Sequence, residues 1–143
     1  MQQLHKPVGT MLKITYITVT YNAAQTIPAT IGSVLTQSYT EIEHIIVDGK
    51  SADDTIRIAS EYKEKTGKSG SNHIVRIISE QDKGIYDAMN RAVTSCNGKW
   101  INFMNAGDTF AYDEAGNEVE TFFCDLDMLK AAIVGVRYVK IEK

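Results

Sequence analysis

A chain of 143 residues sits near the commonest domain size and can bury a core of its own, which favours one domain spanning residues 1–143. Hydrophobic residues make up 43% and charged residues 23%, an ordinary globular balance, and the net charge of -3 offers no basic surface for nucleic acid or anionic lipid. Any acidic ligand must therefore be gripped by local groups, such as a metal ion or backbone amides.

Two cysteines, Cys96 and Cys124, lie far apart without metal-type spacing, which suits a reducing compartment. Residues 1–12 contain no apolar signal region and read as a loose lead. No run approaches the roughly 18 apolar residues that a spanning helix needs. The expected location is the cytoplasm, with peripheral docking at the inner face of the membrane as its variant.

In chain order, the first apolar run, Ile14 to Val19, ends on Thr20-Tyr21-Asn22. Ile27, Ile31, Val34 and Leu35 then recur at helical spacing, with Thr26 as N-cap and Pro28 in the first turn. A second strand, His44 to Val47, ends on Asp48-Gly49. The turn from Gly49 to Thr55 is rich in capping residues and leads into a helix with Ile56, Ala59 and Tyr62 on one face. Lys63 to Asn72 reads as a surface loop.

The third strand, Ile74 to Ile78, ends on Ser79, Glu80 and the residues up to Asp82. A helix follows Gly84, with Ile85, Met89, Ala92 and Val93 as its buried stripe and Asn97-Gly98 as its stop. The fourth strand, Trp100 to Met104, ends on Asn105-Ala106-Gly107-Asp108. Beyond it, Tyr112 to Asn117 reads as a polar turn, Leu126, Leu129 and Ile133 have helical spacing, and Val136 to Ile141 reads as a strand.

Helices between strands impose crossovers, so the strands should run parallel with right-handed connections. The expected fold is α/β, a Rossmann-like three-layer sandwich with a mostly parallel central sheet and helices on both faces. In such sheets ligands bind beyond the carboxyl ends of the strands, so four polar strand ends imply one shared crevice.

Each polar cluster has a chemical reading and a plain one. Tyr21 can stack on a base while Asn22 holds the turn, or the segment is simply a strand-to-helix turn. Asp48 can accept hydrogen bonds from a base or ribose, or cap a helix. Asp108 suits a hard divalent cation that neutralises a diphosphate, or it is a turn aspartate. Asp87, Asn90, Arg91 and Thr94 share the helix face opposite the apolar stripe, which is either a solvated face or part of the crevice. His5, His44 and His73 show no ligand spacing and read as surface or strand-end histidines, while Trp100 and Phe103 belong to strand packing.

Four segments carry a resemblance. Ile17 to Asn22, Ile45 to Thr55, Asp82 to Asn90 and Phe103 to Asp108 are similar, in order and spacing, to the successive motifs of bacterial inverting glycosyltransferases with the GT-A fold. Those enzymes build capsules, lipopolysaccharide and other exopolysaccharides. The resemblance covers Lys13 to about Asp108 and implies the N-terminal donor-binding part of such a domain, a truncated GT-A unit, followed by a divergent tail over residues 109–143.

It further implies a nucleotide diphosphate sugar as donor, commonly a UDP sugar, with Mn or Mg. Thr20 and Tyr21 would line the nucleoside pocket and Asp48 would meet the base. Asp82, Asp87 and Asn90 would lie along the sugar-diphosphate path, and Asn22 and Asn105 stand in the same binding motifs. Asp108 corresponds to the last aspartate of the DXD-type motif and would bind the metal, whereas Gly107 replaces a carboxylate found in many relatives. The acceptor would be a saccharide or lipid-linked saccharide. No residue matches the family's catalytic base, so none is assigned, and a homodimer or partner chain would be one way to complete the site. A donor-binding fragment without transfer, or an unrelated α/β interaction module, are the competing expectations.

Overall fold

A computed structural model describes residues 13–37 and 39–110, together with the backbone of 138–140. The elements alternate as β1 (Ile14–Thr20), α1 (Ile27–Leu35), β2 (Ile42–Asp48), α2 (Thr55–Lys68), β3 (Ile74–Ser79), α3 (Ile85–Ser95), β4 (Trp100–Phe103) and β5 (Tyr138–Lys140). They form one sheet in the order β3-β2-β1-β4-β5, in which β1 to β4 run parallel and β5 is antiparallel to β4. The expected α/β sandwich is present. The strand read at Val136 to Ile141 appears as β5, while the expectations for Tyr112 to Asn117 and for Leu126, Leu129 and Ile133 lie outside the described residues, as does Cys124.

The period of two sorts each strand between two helical layers. Ile14, Tyr16, Ile42 and Ile46 pack with Val34, Ile27, Ile31, Ala59 and Tyr62 on the side of α1 and α2. Ile17, Ile45, Val47 and Ile101 pack with Ala88, Ala92 and Cys96 on the side of α3. Every residue of β2 is buried, as a central strand covered on both faces requires.

Four sequence expectations are corrected, the last of them at His44. The loop expected from Lys63 to Asn72 is helical as far as Lys68, because Tyr62 and Thr66 carry the buried stripe of α2 one turn further beneath the mixed charges. A Glu64–Lys68 ion pair runs along the outer face of that turn. In α3 the fully buried positions are Ala88 and Ala92, while Ile85 is exposed, since only small side chains let the helix lie close against the strands. Thr26 occupies the N-cap of α1, but its hydroxyl bonds the carbonyl of Ala23 instead of a helix amide.

His44 is no surface residue; it is completely buried at the centre of a polar chain. Thr18 Oγ1 lies 2.7 Å from His44 Nε2, His44 Nδ1 lies 2.9 Å from Tyr62 Oη, and Tyr62 Oη lies 2.7 Å from His73 Nε2. These bonds satisfy groups that would otherwise be costly to bury. On the opposite face, buried Glu43 accepts from Thr15 Oγ1, Arg76 Nη1 and the backbone amide of Asn97, at 2.8, 2.9 and 2.8 Å. Burial opposes ionisation of Glu43, but these hydrogen bonds outweigh it and hold the carboxyl below its usual range. Gly98 completes the corner: its amide donates to Thr15 Oγ1 at 3.0 Å, and a Cβ there would lie 2.3 Å from the same oxygen.

The histidines make stability depend on pH. Burial, aided by neighbouring His73, depresses the pKa of His44 from 6.5 to about 3, and burial depresses His73 to about 4. A base with a lowered folded pKa binds fewer protons folded than unfolded, so its contribution is complete above about pH 6.5 and lost as pH falls toward the folded value. Between about pH 6.5 and 5, above most carboxylate titration, His44 alone should remove about 2 kcal/mol. Urea unfolding across that window should show the decline, and His73→Gln should lessen it while leaving the part due to His44; a level profile in the parent chain contradicts the buried relay.

Candidate functional site

The carboxyl ends of β1, β2, β3 and β4 meet along one edge of the sheet. Past the strands the ladder continues for one residue: Gly49 donates to the Thr20 carbonyl at 3.0 Å and Glu80 to that of Asp48 at 3.0 Å. β4 ends opposite Ile17, and beyond it Met104 donates to the Ile17 carbonyl at 2.9 Å and Ala106 to that of Val19 at 3.4 Å, so the segment leaving β4 runs along the end of β1. The register places Thr20 beside Asp48 and Asp48 beside Ser79.

Asp48 is fully buried, and its carboxylate faces inward. Oδ1 accepts from Thr20 Oγ1 at 2.8 Å and from Ser51 Oγ, while Oδ2 accepts from the Ser51 amide at 2.9 Å and from Ser79 Oγ at 3.3 Å. The residue expected to meet a base therefore fastens three strand tips from beneath. Thr20, also buried, gives its hydroxyl to the same bond.

Above this floor, three successive amides of the β1–α1 turn point into the β2–α2 loop. Asn22, Ala23 and Ala24 donate to Ser51 Oγ, Thr55 Oγ1 and Asp53 Oδ2 at 2.8, 2.9 and 3.0 Å. Asn22 Oδ1 returns the contact by accepting from the Ala52 amide at 2.8 Å. Asn22 and Lys50 hold φ values of 47° and 64°, a region that asparagine tolerates better than most residues. Tyr21 stands on this stitched turn with 68% of its surface exposed, so its ring is presented rather than packed.

Asp82 arrives from the β3–α3 loop. Its Oδ1 accepts from the Gly84 amide at 3.0 Å, and its Oδ2 would lie 2.8 Å from a Cβ at Gly49, so the bare backbone of Gly49 makes room for it. Asp87 Oδ2 accepts from the Lys83 amide at 3.0 Å and from Arg91 Nη2 at 3.1 Å; Arg91 also pairs with Glu80 at 2.7 Å. Asn90 is exposed one turn further along α3.

The last cluster is tied to α1. Gly107 donates to Thr30 Oγ1 at 2.9 Å, and that hydroxyl donates to the Asp108 carbonyl at 2.7 Å. Asp108 Oδ2 accepts from the Asn105 amide at 3.0 Å, and Gly107 takes φ 98°, which favours glycine there over any side chain. Asn105 Oδ1 is buried without a hydrogen-bond partner among the described residues. No group of three or more His, Cys, Asp or Glu side chains able to hold a metal occurs among the described residues.

Thr20 and Asp48 are thus joined by a direct bond and Asn22 is linked to them through Ser51, with Tyr21 next to Asn22 in the chain and Asp82 against Gly49; Asn105 and Asp108 follow β4, and Asp87 and Asn90 lie on α3. Sequence reasoning passed over Thr30; it read Ser51, Asp53 and Thr55 only as capping residues of a turn, and Arg91 only as part of a polar helix face. The density of Ser, Asp and Thr after Asp48 signalled a capped turn, but not that it receives amides from another loop.

These features define an α/β domain of the GT-A type with one polar crevice at its strand tips. The chain belongs to glycosyl transferase family 2, whose profile matches residues 15–140. It is 36% identical over 90 residues to a PGL/p-HBAD biosynthesis glycosyltransferase of Mycobacterium bovis, covering 63% of this chain and 33% of that protein. Over 106 residues it is 32% identical to the Escherichia coli UDP-Glc:alpha-D-GlcNAc-diphosphoundecaprenol beta-1,3-glucosyltransferase WfaP, covering 74% of this chain and 39% of that one. The chain thus spans about a third of the length of these relatives.

Among solved structures, Staphylococcus aureus TarS 1-349 in complex with UDP-GlcNAc superposes with a TM-score of 0.58 at 26% identity, covering 68% of this chain and 27% of that one. The mannosyltransferase PcManGT from Pyrobaculum calidifontis, in complex with GDP-Man and Mn2+, shares the fold with a TM-score of 0.61 at 22% identity, over 73% of this chain and 32% of that chain.

The clamp can be tested apart from any ligand. Ser51→Ala removes the acceptor of the Asn22 amide and the hydroxyl that donates to Asp48 Oδ1, while the Ser51 amide still donates to Oδ2, so it should destabilise the fold by about 1–3 kcal/mol. Urea unfolding measures it, and an unchanged midpoint would mean that water replaces the hydroxyl.

Proposed function

We propose that the domain binds a nucleotide diphosphate sugar, most simply a UDP sugar, and transfers the sugar to a saccharide or lipid-linked saccharide acceptor in cell-surface polysaccharide biosynthesis. The observation that carries this reading is the placement at the carboxyl ends of the strands of an exposed aromatic, Tyr21, the turn that braces it through three backbone amides, and a carboxylate, Asp108. Family membership supports the transfer chemistry. The names of the relatives support the substrates: WfaP uses a UDP sugar and a diphosphoundecaprenol-linked acceptor, and TarS holds UDP-GlcNAc.

In this reading Tyr21 stacks on the base. Asp48 serves the nucleoside indirectly, by holding Thr20 and Ser51 and through them the turn that presents Tyr21. Asn22 keeps that turn in its left-handed conformation.

Asp108 is the residue that would hold a divalent cation, Mn or Mg. The local donors fit such an ion: the carboxylate of Asp108 and the unpartnered oxygen of Asn105 are hard oxygen ligands at the same strand tip. Magnesium-type ions are commonly held by one or two carboxylates with substrate phosphates completing the shell, so a cluster of three protein carboxylates is not required. Such an ion offsets the charge that develops on a departing nucleoside diphosphate.

Inversion at the anomeric carbon also needs a base to deprotonate the acceptor hydroxyl. Asp48 is enclosed and Asp87 is bonded to Lys83 and Arg91, so neither suits that role. The base is therefore proposed to come from outside the described residues or from a partner chain. A lipid-linked acceptor would be met at the inner face of the membrane; no helix among the described residues is long and apolar enough to cross it.

Thermal shift with UDP, GDP and dTDP sugars, with and without Mn2+, tests donor binding, since a ligand that binds only the folded state must raise the melting temperature. UDP sugars with Mn2+ should give the largest shift, and none from any donor would remove the reading. Asp108→Asn should abolish the Mn2+-dependent part of that shift while leaving the melting temperature without ligand nearly unchanged. Tyr21→Ala should weaken UDP binding by about 1–3 kcal/mol, the range for base stacking on an aromatic ring; calorimetry showing unaltered affinity would place the base elsewhere.

A further inference from the structure

We infer that Tyr86 is a sugar-recognition residue, its ring forming a platform for the pyranose of the donor, with Asp82 and Asp87 beside it accepting hydrogen bonds from sugar hydroxyls. The inference rests on the donor-binding reading above and adds a residue and a division of the crevice to it.

Tyr86 is 78% exposed, the highest value among the exposed large hydrophobic residues, and Ile85 beside it is 42% exposed. Together they leave an apolar surface in the first turn of α3, where burial against the sheet falls to Ala88 and Ala92 instead. An uncovered aromatic on a frayed helix end would need no explanation. This one stands on a rigid corner: Gly84 is fixed by Asp82, Lys83 by Asp87, and Arg91 bridges Asp87, Glu80 and the Gln81 carbonyl at 3.1, 2.7 and 3.2 Å.

The two aspartates are used asymmetrically. Asp82 commits Oδ1 and Asp87 commits Oδ2 to this bracing, while Asp82 Oδ2 and Asp87 Oδ1 have no hydrogen bond among the described residues. Asp82 Oδ2 faces the bare backbone of Gly49, so the corner borders the crevice floor directly. An exposed aromatic next in sequence to Asp87 and four residues after Asp82 offers the two features a pyranose needs, since the sugar presents apolar C–H groups on one face and hydroxyl donors around its edge.

Charge decides which part of the donor lies here. Between Glu80 and Arg91 the chain places three carboxylates, Glu80, Asp82 and Asp87, against two cations, Lys83 and Arg91, and Arg91 is already paired with Glu80 and Asp87. A diphosphate is repelled from such a corner and belongs on the side of Asp108. The uncharged, hydroxyl-rich sugar is the portion that gains from carboxylate acceptors.

The test compares UDP with UDP-glucose and UDP-N-acetylglucosamine by calorimetry on the full chain with Mn2+, for the parent, Tyr86→Ala and Tyr86→Phe. Tyr86→Ala should bind UDP as the parent does but bind the preferred UDP sugar roughly five- to tenfold more weakly, the scale of an aromatic contact. Tyr86→Phe, which keeps the ring, should retain parental affinity for both. Because Tyr86 is exposed, all three proteins should melt together. If Tyr86→Ala binds the UDP sugar as tightly as the parent, or weakens UDP equally, the platform is refuted while the donor site stands. If the parent binds neither UDP nor a UDP sugar, the donor-binding reading fails and this inference falls with it.

Discussion

The carboxylate of Asp48, sealed under the sheet edge, is the interaction on which the rest of the crevice depends. A buried charge is tolerable only when its lone pairs are matched by donors, and here Thr20, Ser51 and Ser79 supply them from β1, the β2–α2 loop and β3. Two of those donors are distant in sequence: Thr20 lies 28 residues before Asp48 and Ser79 31 residues after it. The bond set forms only when the three strands are in register. A slip of one residue would turn Asp48 and its partners to opposite faces. The exposed parts of the site are held at second remove, since Ser51 positions Asn22 and Asn22 borders Tyr21.

The central strand carries a second carboxylate, and the pair shows how one element serves two layers. Glu43 stands near the start of β2 and Asp48 at its end; an odd separation puts them on opposite faces. Glu43 gathers Thr15, Arg76 and Asn97 and fixes the exit of α3, while Asp48 fixes the entry loops of the crevice. The His44 chain adds a third polar node on the side of α1 and α2. These nodes specify register and helix placement in a core that is otherwise aliphatic.

Function follows from what the bracing leaves exposed. Tyr21, Tyr86 and the unbonded oxygens of Asp82 and Asp87 stand on rigid supports, and Asp108 is anchored through Thr30 to α1. Under the proposed function, a net-acidic chain would have to separate the charges of an acidic donor from its own carboxylates. The proposed division, with diphosphate toward Asp108 and sugar toward α3, achieves that separation within one crevice.

The four strands, their polar ends and the parallel α/β arrangement were legible in the sequence because each rests on local chemistry: apolar runs of strand length, turn residues after them, and helical spacing between. The second half of α2 was hidden, since Tyr62 and Thr66 alone mark its stripe beneath a run of mixed charges. The burial of His44 was also unreadable, because it depends on Tyr62 and His73 arriving from other elements. Above all, the sequence by itself named Asp48, Asp82 and Asp108 as polar residues at strand ends, while only the tertiary structure decided that Asp48 points inward and Asp82 against Gly49. Strand formation is a property of neighbours along the chain, but the direction and partners of a carboxylate are set by groups that the fold brings to it.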